Sequence, residues 1–338
     1  MFYIRTDIND VIATGHVMRC LSIADAARVM DEDVTFILAD EQGKNYIENR
    51  GYETIILHTR WNDMESELSV LQKIINDKKI KSILIDSYQV TDKYLKILSN
   101  YVKTIYIDDL AQSIYPVDAL ICYMSHWEKL QYKNKYPNVN LLLGLQYVPI
   151  RTIFQNMKKK EIKKDVESVL LLSGGTDPYN ILFGLLDVIK DFRFKEIIVI
   201  CGRYYKNIDF LEKEYKEISN ISILKSVDNI EVYMKKADLA ISAGGTTLYE
   251  LCACGTPAIS YAFADNQIEN VNGFAEMNMI EYAGDVRYDN VFGNISKLIK
   301  RYCENKELRK VHSERMQTMI DGKGGSRIAA EWKKLQEE

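Results

Sequence analysis

AISAGGTTLYELCACGTP (240–257), continued by PAISYA (257–262), reads as strand, glycine turn, helix and strand. The turn is Gly244-Gly245, and a helix starting near Thr246 carries Glu250 about one turn in. A helix that returns the chain to the edge where the first strand began makes the two strands parallel. Both flanking runs are too continuously apolar for one wet face, as expected of a sheet covered on both sides. The same alternation extends in both directions. SVLLLS (168–173), EIIVICG (196–202), ISILK (221–225) and DLAIS (238–242) complete one series. FYIR (2–5), VTFILA (34–39), SILID (82–86), TIYID (104–108) and ALICY (119–123) form another, with helical stretches at 16–30, 62–78 and 91–100. Two such series predict two doubly wound α/β domains.

The apolar periodicity lapses and charge rises over RTIFQNMKKKEIKKD (151–165). The expected division is therefore an N-terminal domain over 1–150, a linker over 151–165 and a C-terminal domain over 166–338. The tail from 289 is helical and broken near 322–326 by Gly322, Gly324 and Gly325, leaving its last helices free to pack back on the first domain. At 338 residues the chain suits two ordinary domains. With 47% apolar and 27% charged residues it is globular in composition. A net charge of −4 gives no bulk field for a nucleic-acid partner, and the lysines at 158–160, 163 and 164 read as a solvated linker. No apolar run reaches the length of a membrane span, and the N-terminus opens into a strand with no secretory pattern. Six scattered cysteines without zinc spacing read as reduced thiols, so a cytoplasmic protein with no metal is expected.

Three strand–turn–helix junctions carry the chemistry: RTDINDVIATGHVMRC (5–20), LLLSGGTDPYN (170–180) and the 240–257 segment. The first amides of a helix lack internal partners and sit at its positive end. Glycine lets an anion approach them closely. Gly15, the Gly174-Gly175 pair and the Gly244-Gly245 pair are thus candidate diphosphate-binding positions at strand carboxyl ends, where doubly wound sheets hold ligands. None fits the dinucleotide or P-loop spacing, so no NAD or P-loop ATP site is expected. Glu250 suits either the ribose hydroxyls of a nucleotide or simple complementation of the helix dipole. In FADNQIENVNGF (263–274), Asp265 or Asn266 either caps a helix or, with Gln267, meets phosphate and sugar oxygens. Asp228 and Glu231 read as a capping box for the helix NIEVYMKKA (229–237). Of four histidines, only His16 occupies a glycine-loop helix start. There the dipole would lower its pKa and keep a neutral imidazole able to take a proton. The alternative is a histidine that only braces the loop.

Taken together, TGHVMRCLSIA, ILIDSY (83–88), YIDDLA (106–111), GLQYVPIR (144–151), LLSGGTD, the 240–257 block, DNQ and DGKGGSRIA (321–329) resemble the PseG/SpsG family. That family includes the UDP-sugar hydrolase of pseudaminic-acid biosynthesis and spore-coat polysaccharide proteins. The C-terminal half also looks like MurG-type glycosyltransferases. The resemblance runs from residue 2 to about 330 and implies a GT-B architecture, two Rossmann-like domains facing a central cleft. It implies His16 as general base for water and Tyr88 in the sugar site. Ser242, Gly244, Gly245, Thr246 and Thr247 would bind the diphosphate, Glu250 the ribose, and Asn266 with Gln267 the phosphate and sugar. Ser87 and Asp265 depart from the family pattern, which has histidine and lysine there; an anion at 265 weakens a diphosphate contact unless it turns away.

The first reading is hydrolysis of a UDP-activated deoxyamino sugar, UDP-2,4-diacetamido-2,4,6-trideoxy-β-L-altropyranose or a relative, to free sugar and UDP without a cofactor. The second is a GT-B glycosyltransferase using a UDP-sugar donor. A third is a nucleotide-sugar-binding protein without catalysis. The absence of a basic amphipathic stretch in 1–150 favours the first over a transferase acting on lipid-linked acceptors.

Overall fold

The computed structural model describes residues 1–9, 12, 15–174, 177–202 and 205–337. They divide into two compact units, Met1–Thr152 with Gly322–Glu338, and Ile153–Asp321. The second unit thus starts before the expected residue 166 and ends before the last helix, which belongs to the first.

The first unit is built on seven parallel strands: β1 (Phe2–Thr6), β2 (Val34–Leu38), β3 (Glu53–Ile56), β4 (Ser82–Asp86), β5 (Lys103–Ile107), β6 (Ala119–Cys122) and β7 (Asn140–Leu143). Their spatial order is β3-β2-β1-β4-β5-β6-β7. Helices α1 (Gly15–Val29), α2 (Lys44–Glu48), α3 (Leu68–Lys78), α4 (Asp92–Leu98) and α5 (Tyr132–Lys135) connect them. The sheet β10-β9-β8-β11-β12-β13 of the second unit comprises β8 (Ser168–Leu172), β9 (Glu196–Cys201), β10 (Ile221–Lys225), β11 (Leu239–Ala243), β12 (Ala258–Ala262) and β13 (Glu281–Asp285). Around it lie α6 (Ile181–Ile189), α7 (Ile208–Tyr215), α8 (Ile230–Lys236), α9 (Thr247–Cys254), α10 (Asp265–Glu276), α11 (Val291–Glu304) and α12 (Lys306–Met319). The final helix, α13 (Gly324–Glu337), returns to the first unit.

Every residue of β1, β2, β4, β8, β11 and β12 is buried, which is why these strands were legible as largely apolar runs. The three strands missed in the sequence, β3, β7 and β13, are sheet edges and only partly covered, so their apolar pattern is diluted. The capping box expected at 228–231 does not form: Asn229 stands at the N-cap of α8 without a side-chain cap.

Helix α1 is buried on most of its circumference, covered by the sheet on one side and by α13 on another. Gly325 explains that second contact, and Gly324 a neighbouring one with the backbone of Tyr147 and Val148. A Cβ on Gly324 would stand 2.1 Å from the Val148 carbonyl oxygen, and one on Gly325 would stand 2.9 Å from that of Ser22. Trp332 completes the seam, stacked on Phe2 at 4.2 Å and donating its indole N–H to Ser82 Oγ at 2.6 Å.

In both sheets the winding reverses between two central strands, β1 and β4 in the first unit and β8 and β11 in the second. Connections leave such a pair to opposite sides, opening a crevice at the carboxyl ends. Those two crevices are where the chemistry is to be sought.

Candidate active site

The crevice of the first unit contains His16, in the first turn of α1, and Asp86, the last residue of β4. His16 Nδ1 lies 2.6 Å from Asp86 Oδ1. Burial alone would raise the Asp86 carboxyl, but the Arg19 guanidinium and His16 outweigh it and hold it well below the usual carboxylate range. An ionised carboxylate only accepts, so the proton in this short contact belongs to Nδ1. In the neutral ring Nε2, on the opposite edge, is then left as a proton acceptor. Arg19 Nη2 is 3.1 Å from the same Nδ1, but as a donor it is satisfied by Asp86 Oδ1 instead.

Arg19, one helical turn after His16, organises the rest. Its Nε donates to Asp86 Oδ2 at 2.6 Å, and its Nη1 to Asp109 Oδ2 at 2.9 Å and to the Tyr123 hydroxyl at 2.6 Å. The Tyr88 hydroxyl donates to the same Asp109 oxygen at 2.9 Å. Burial, then the Asp109 charge, pushes the Tyr88 phenol well above its ordinary value, so it remains a donor. Its ring stands edge-on to the imidazole, centroids 4.5 Å apart. Burial followed by the Asp86 charge raises the Cys20 thiol as well; it donates to Asp86 Oδ2 at 3.4 Å and is no nucleophile.

Beside this group is a cavity of about 220 Å³ lined by Asp7, Ile12, His16, Trp61, Asp86, Ser87, Tyr88 and Gln89. Asp7, just beyond β1, accepts from Arg5 Nη1 at 2.5 Å and from the Ala39 amide at 2.8 Å. Arg5, fully buried, also forms a bidentate pair with Glu67 at 2.8 and 2.6 Å. Ser87, where the family pattern has histidine, is buried and accepts from the Gln89 amide at 3.1 Å.

In the second unit the turn after β11 is shaped by packing. A Cβ on Gly244 would stand 2.1 Å from Val271 Cγ2, whereas one on Gly245 would meet nothing within 4 Å. The first position is glycine because α10 presses on it, and the second leaves open space before α9. No side chain caps α9, whose N-cap is Thr246; Thr247 opens the helix, and Glu250 is half-buried in its first turn. Ser242 is buried and its hydroxyl turns to the Ala243 carbonyl at 3.1 Å. No side chain caps α10 either, whose N-cap is Ala264, so neither Asp265 nor Asn266 plays that part. Asn266 is exposed. Gln267 folds back, its Oε1 accepting from the Phe263 amide at 3.0 Å. Asp265 turns away to Arg287, at 2.7 Å.

The Gly174 loop differs from expectation. Gly174 has a φ of +83°, which demands glycine. However, the first amides of α6 are not open to an anion: Asp177 accepts from Ile181 at 2.7 Å and from Leu182 at 3.0 Å. Gly175 lies outside the described residues, as does Thr14 of the first loop; Gly15 begins α1, and a Cβ there would meet no atom of the described residues within 4 Å.

Of the residues gathered here, His16 and Tyr88 were singled out in the sequence, whereas Arg19, Asp86, Asp109, Asp7 and Trp61 were not. A signal existed for four of them. Arg19 follows His16 at helical spacing, and IRTD, ILID and YIDD each place an acid at or just beyond the carboxyl end of an apolar strand.

The two crevices match known architecture. Residues 155–321, nearly the whole second unit, match the glycosyltransferase family 28 C-terminal domain. SpsG of Bacillus subtilis, a spore coat polysaccharide biosynthesis protein, is 24% identical over 200 residues, covering 57% of this chain and 58% of its own length. The chain is similar to SpsG over that stretch and has the GT-B fold. Acinetobacter baumannii MurG superposes with a TM-score of 0.73 at 12% identity, covering 99% of this chain and all of that one. Anabaena Alr3699/HepE, solved in complex with UDP, gives 0.65 at 12% identity, again over 99% of this chain and all of its own. The chain spans little more than half the length of the sequence relatives it matches. No helix among the described residues is long and apolar enough to cross a membrane.

Proposed function

We propose that this GT-B protein is a glycosyltransferase-type enzyme that moves a sugar from a UDP-sugar to an acceptor hydroxyl, with His16 as the general base. The observation that carries the reading is the His16–Asp86 pair at 2.6 Å beside the cavity. Its Nδ1 proton is fixed by an ionised carboxylate, so Nε2 is free to take the acceptor's proton, the arrangement by which a carboxylate orients a basic histidine in acyl transfer. The acceptor oxygen forms a bond to the anomeric carbon, and the bond from that carbon to the diphosphate oxygen breaks. The electron pair leaves with UDP and the proton moves to Nε2. Asp86 then stabilises the imidazolium, and Arg19 keeps Asp86 in place.

The nucleotide belongs to the second unit in this reading. The uncapped starts of α9 and α10 offer amides and dipole to the departing diphosphate. Glu250 receives the ribose hydroxyls, and the Gly245–Thr247 turn with Asn266 and Gln267 meets phosphate and sugar oxygens. Arg287, which also pairs with Asp285, offsets the Asp265 charge only in part.

The order of the two readings made from the sequence is reversed here, because the family 28 domain supports transfer more directly than hydrolysis. Hydrolysis stays as the second reading on one observation: the cavity beside His16, about 220 Å³, is below the usual ~300–1,000 Å³ of ligand pockets, a size that suits water or a single ring. One experiment separates them. Purified protein is incubated with a panel of UDP-sugars, with and without acceptor sugars, and free UDP and free sugar are followed. UDP release that requires an acceptor supports transfer, and release of both products without one supports hydrolysis. UDP-sugar binding without turnover anywhere, or unchanged rates in His16→Ala, overturns the assignment of His16.

A further inference from the structure

The cavity of the first unit has two features that the base assignment does not use. The first is Trp61, a half-buried indole in the connection after β3 that forms one wall. A saccharide ring has an apolar C–H face and a polar edge, and a flat aromatic wall offers a large, rigid surface for that face. Around it the polar groups converge from other elements: Asp7 after β1, His16 on α1, and Asp86, Ser87 and Gln89 at and after the end of β4.

The second feature is charge. Among the described residues, no lysine or arginine lines the cavity. The two guanidiniums behind it are each outnumbered by carboxylates. Arg5 is held between Asp7 and Glu67, and Arg19 between Asp86 and Asp109. The wall therefore carries excess negative charge in a partly desolvated space, where repulsion of an anion is strong. Tryptophan acts in the same sense, since its ring face attracts cations.

We propose that this cavity is a saccharide subsite in which one ring lies against the Trp61 indole, and that it takes neutral or amine-bearing rings and rejects anionic ones. The proposal rests on the sugar-nucleotide reading above and names the chemistry of the ring. That ring belongs either to the acceptor or to the donor, and the test separates the two.

The chain has three tryptophans, of which Trp332 is fully buried against Phe2. In a Trp127→Phe background, Trp61 thus dominates any ligand-induced change in emission. This full-length protein is titrated with glucosamine, N-acetylglucosamine and glucuronate at saturating UDP, and with UDP-N-acetylglucosamine alone. Glucosamine and N-acetylglucosamine are expected to change the emission saturably, with glucuronate at least about tenfold weaker. Trp61→Ala is expected to weaken saccharide binding about tenfold by calorimetry, the size of one aromatic contact, with UDP affinity unaltered. A response to UDP-N-acetylglucosamine alone assigns the ring to the donor; a response only to free sugar assigns it to the acceptor. No emission change with any saccharide, glucuronate bound as well as glucosamine, or full affinity in Trp61→Ala overturns the subsite. UDP binding measured on the same samples tests the sugar-nucleotide reading separately. Saccharide binding without UDP binding would sink that reading and leave the subsite standing.

Discussion

His16 Nδ1 and Asp86 Oδ1 lie 2.6 Å apart, joining the first turn of one helix to the last residue of a strand 70 positions away. The contact fixes which imidazole nitrogen carries the proton, and so which is left to act. Asp86→Asn keeps the shape but presents a neutral amide to Nδ1. Turnover is expected to fall by roughly 10²–10⁴, as when the orienting carboxylate of a catalytic triad is neutralised, while UDP affinity stays unchanged. Steady-state rates with calorimetric UDP binding check this; a rate within a factor of about three of the parent would remove Asp86 from the mechanism.

Glu250 tests the nucleotide side independently. Glu250→Ala is expected to weaken UDP binding by about 1.5–3 kcal/mol, the loss of a charged hydrogen bond. Calorimetry with UDP and with thymidine diphosphate reads the effect. Parent-like affinity would return Glu250 to a dipole-complementing role.

His312 gives a stability prediction on the acid side. Burial, then the Arg301 and Arg315 charges, pushes it down to about 4, and its Nδ1 lies 2.7 Å from the Tyr302 hydroxyl. The unfolded chain protonates this ring near its ordinary ~6.5, the folded chain only near 4. Between those values the unfolded state binds the extra proton, so stability falls as pH drops through that window, by up to about 1.4 kcal/mol per pH unit. His312→Gln lacks this contribution. Urea unfolding at several pH values should show a shallower acid slope in the variant, and identical slopes would refute the assignment.

Trp332 tests the last helix. It is 1% exposed, stacked on Phe2 and hydrogen-bonded to Ser82. Trp332→Ala is expected to cost about 3–5 kcal/mol in the first unit. Trp332→Phe, which keeps the stack and loses the donor, is expected to cost about 1 kcal/mol. Denaturant unfolding of the two variants compares them; equal losses would mean that the hydrogen bond rather than the packing carries the contribution.

Much of the fold could be read directly because central parallel strands are buried on both faces, and burial writes itself as unbroken apolar runs such as SVLLL and the IIVIC of β9. Edge strands such as β3 and β13, with partial cover, left no such run. His16 was legible for a different reason, its place after a glycine at a helix start. Arg19, Asp86 and Asp109 were not, although their positions carry a signal: each reads alone as a helix cation or a strand-end acid, and only their convergence gives them meaning. The Gly174 loop shows the same dependence on tertiary structure. A glycine turn before a helix looks like an anion site until Asp177 is seen to occupy the amides.

The sequence by itself determined the local chemistry: which segments are the buried central strands and the helices between them, and which residue types stand at strand ends. These depend on patterns within a few residues, because burial period and turn geometry are local. Only the tertiary structure decided which of those groups meet. Winding order brings β1 beside β4, and with it His16 beside Asp86; the return of α13 against α1 removes the last helix from the unit that precedes it in sequence. Such pairings are set by long-range packing and the satisfaction of buried charge, and no window of sequence contains both partners.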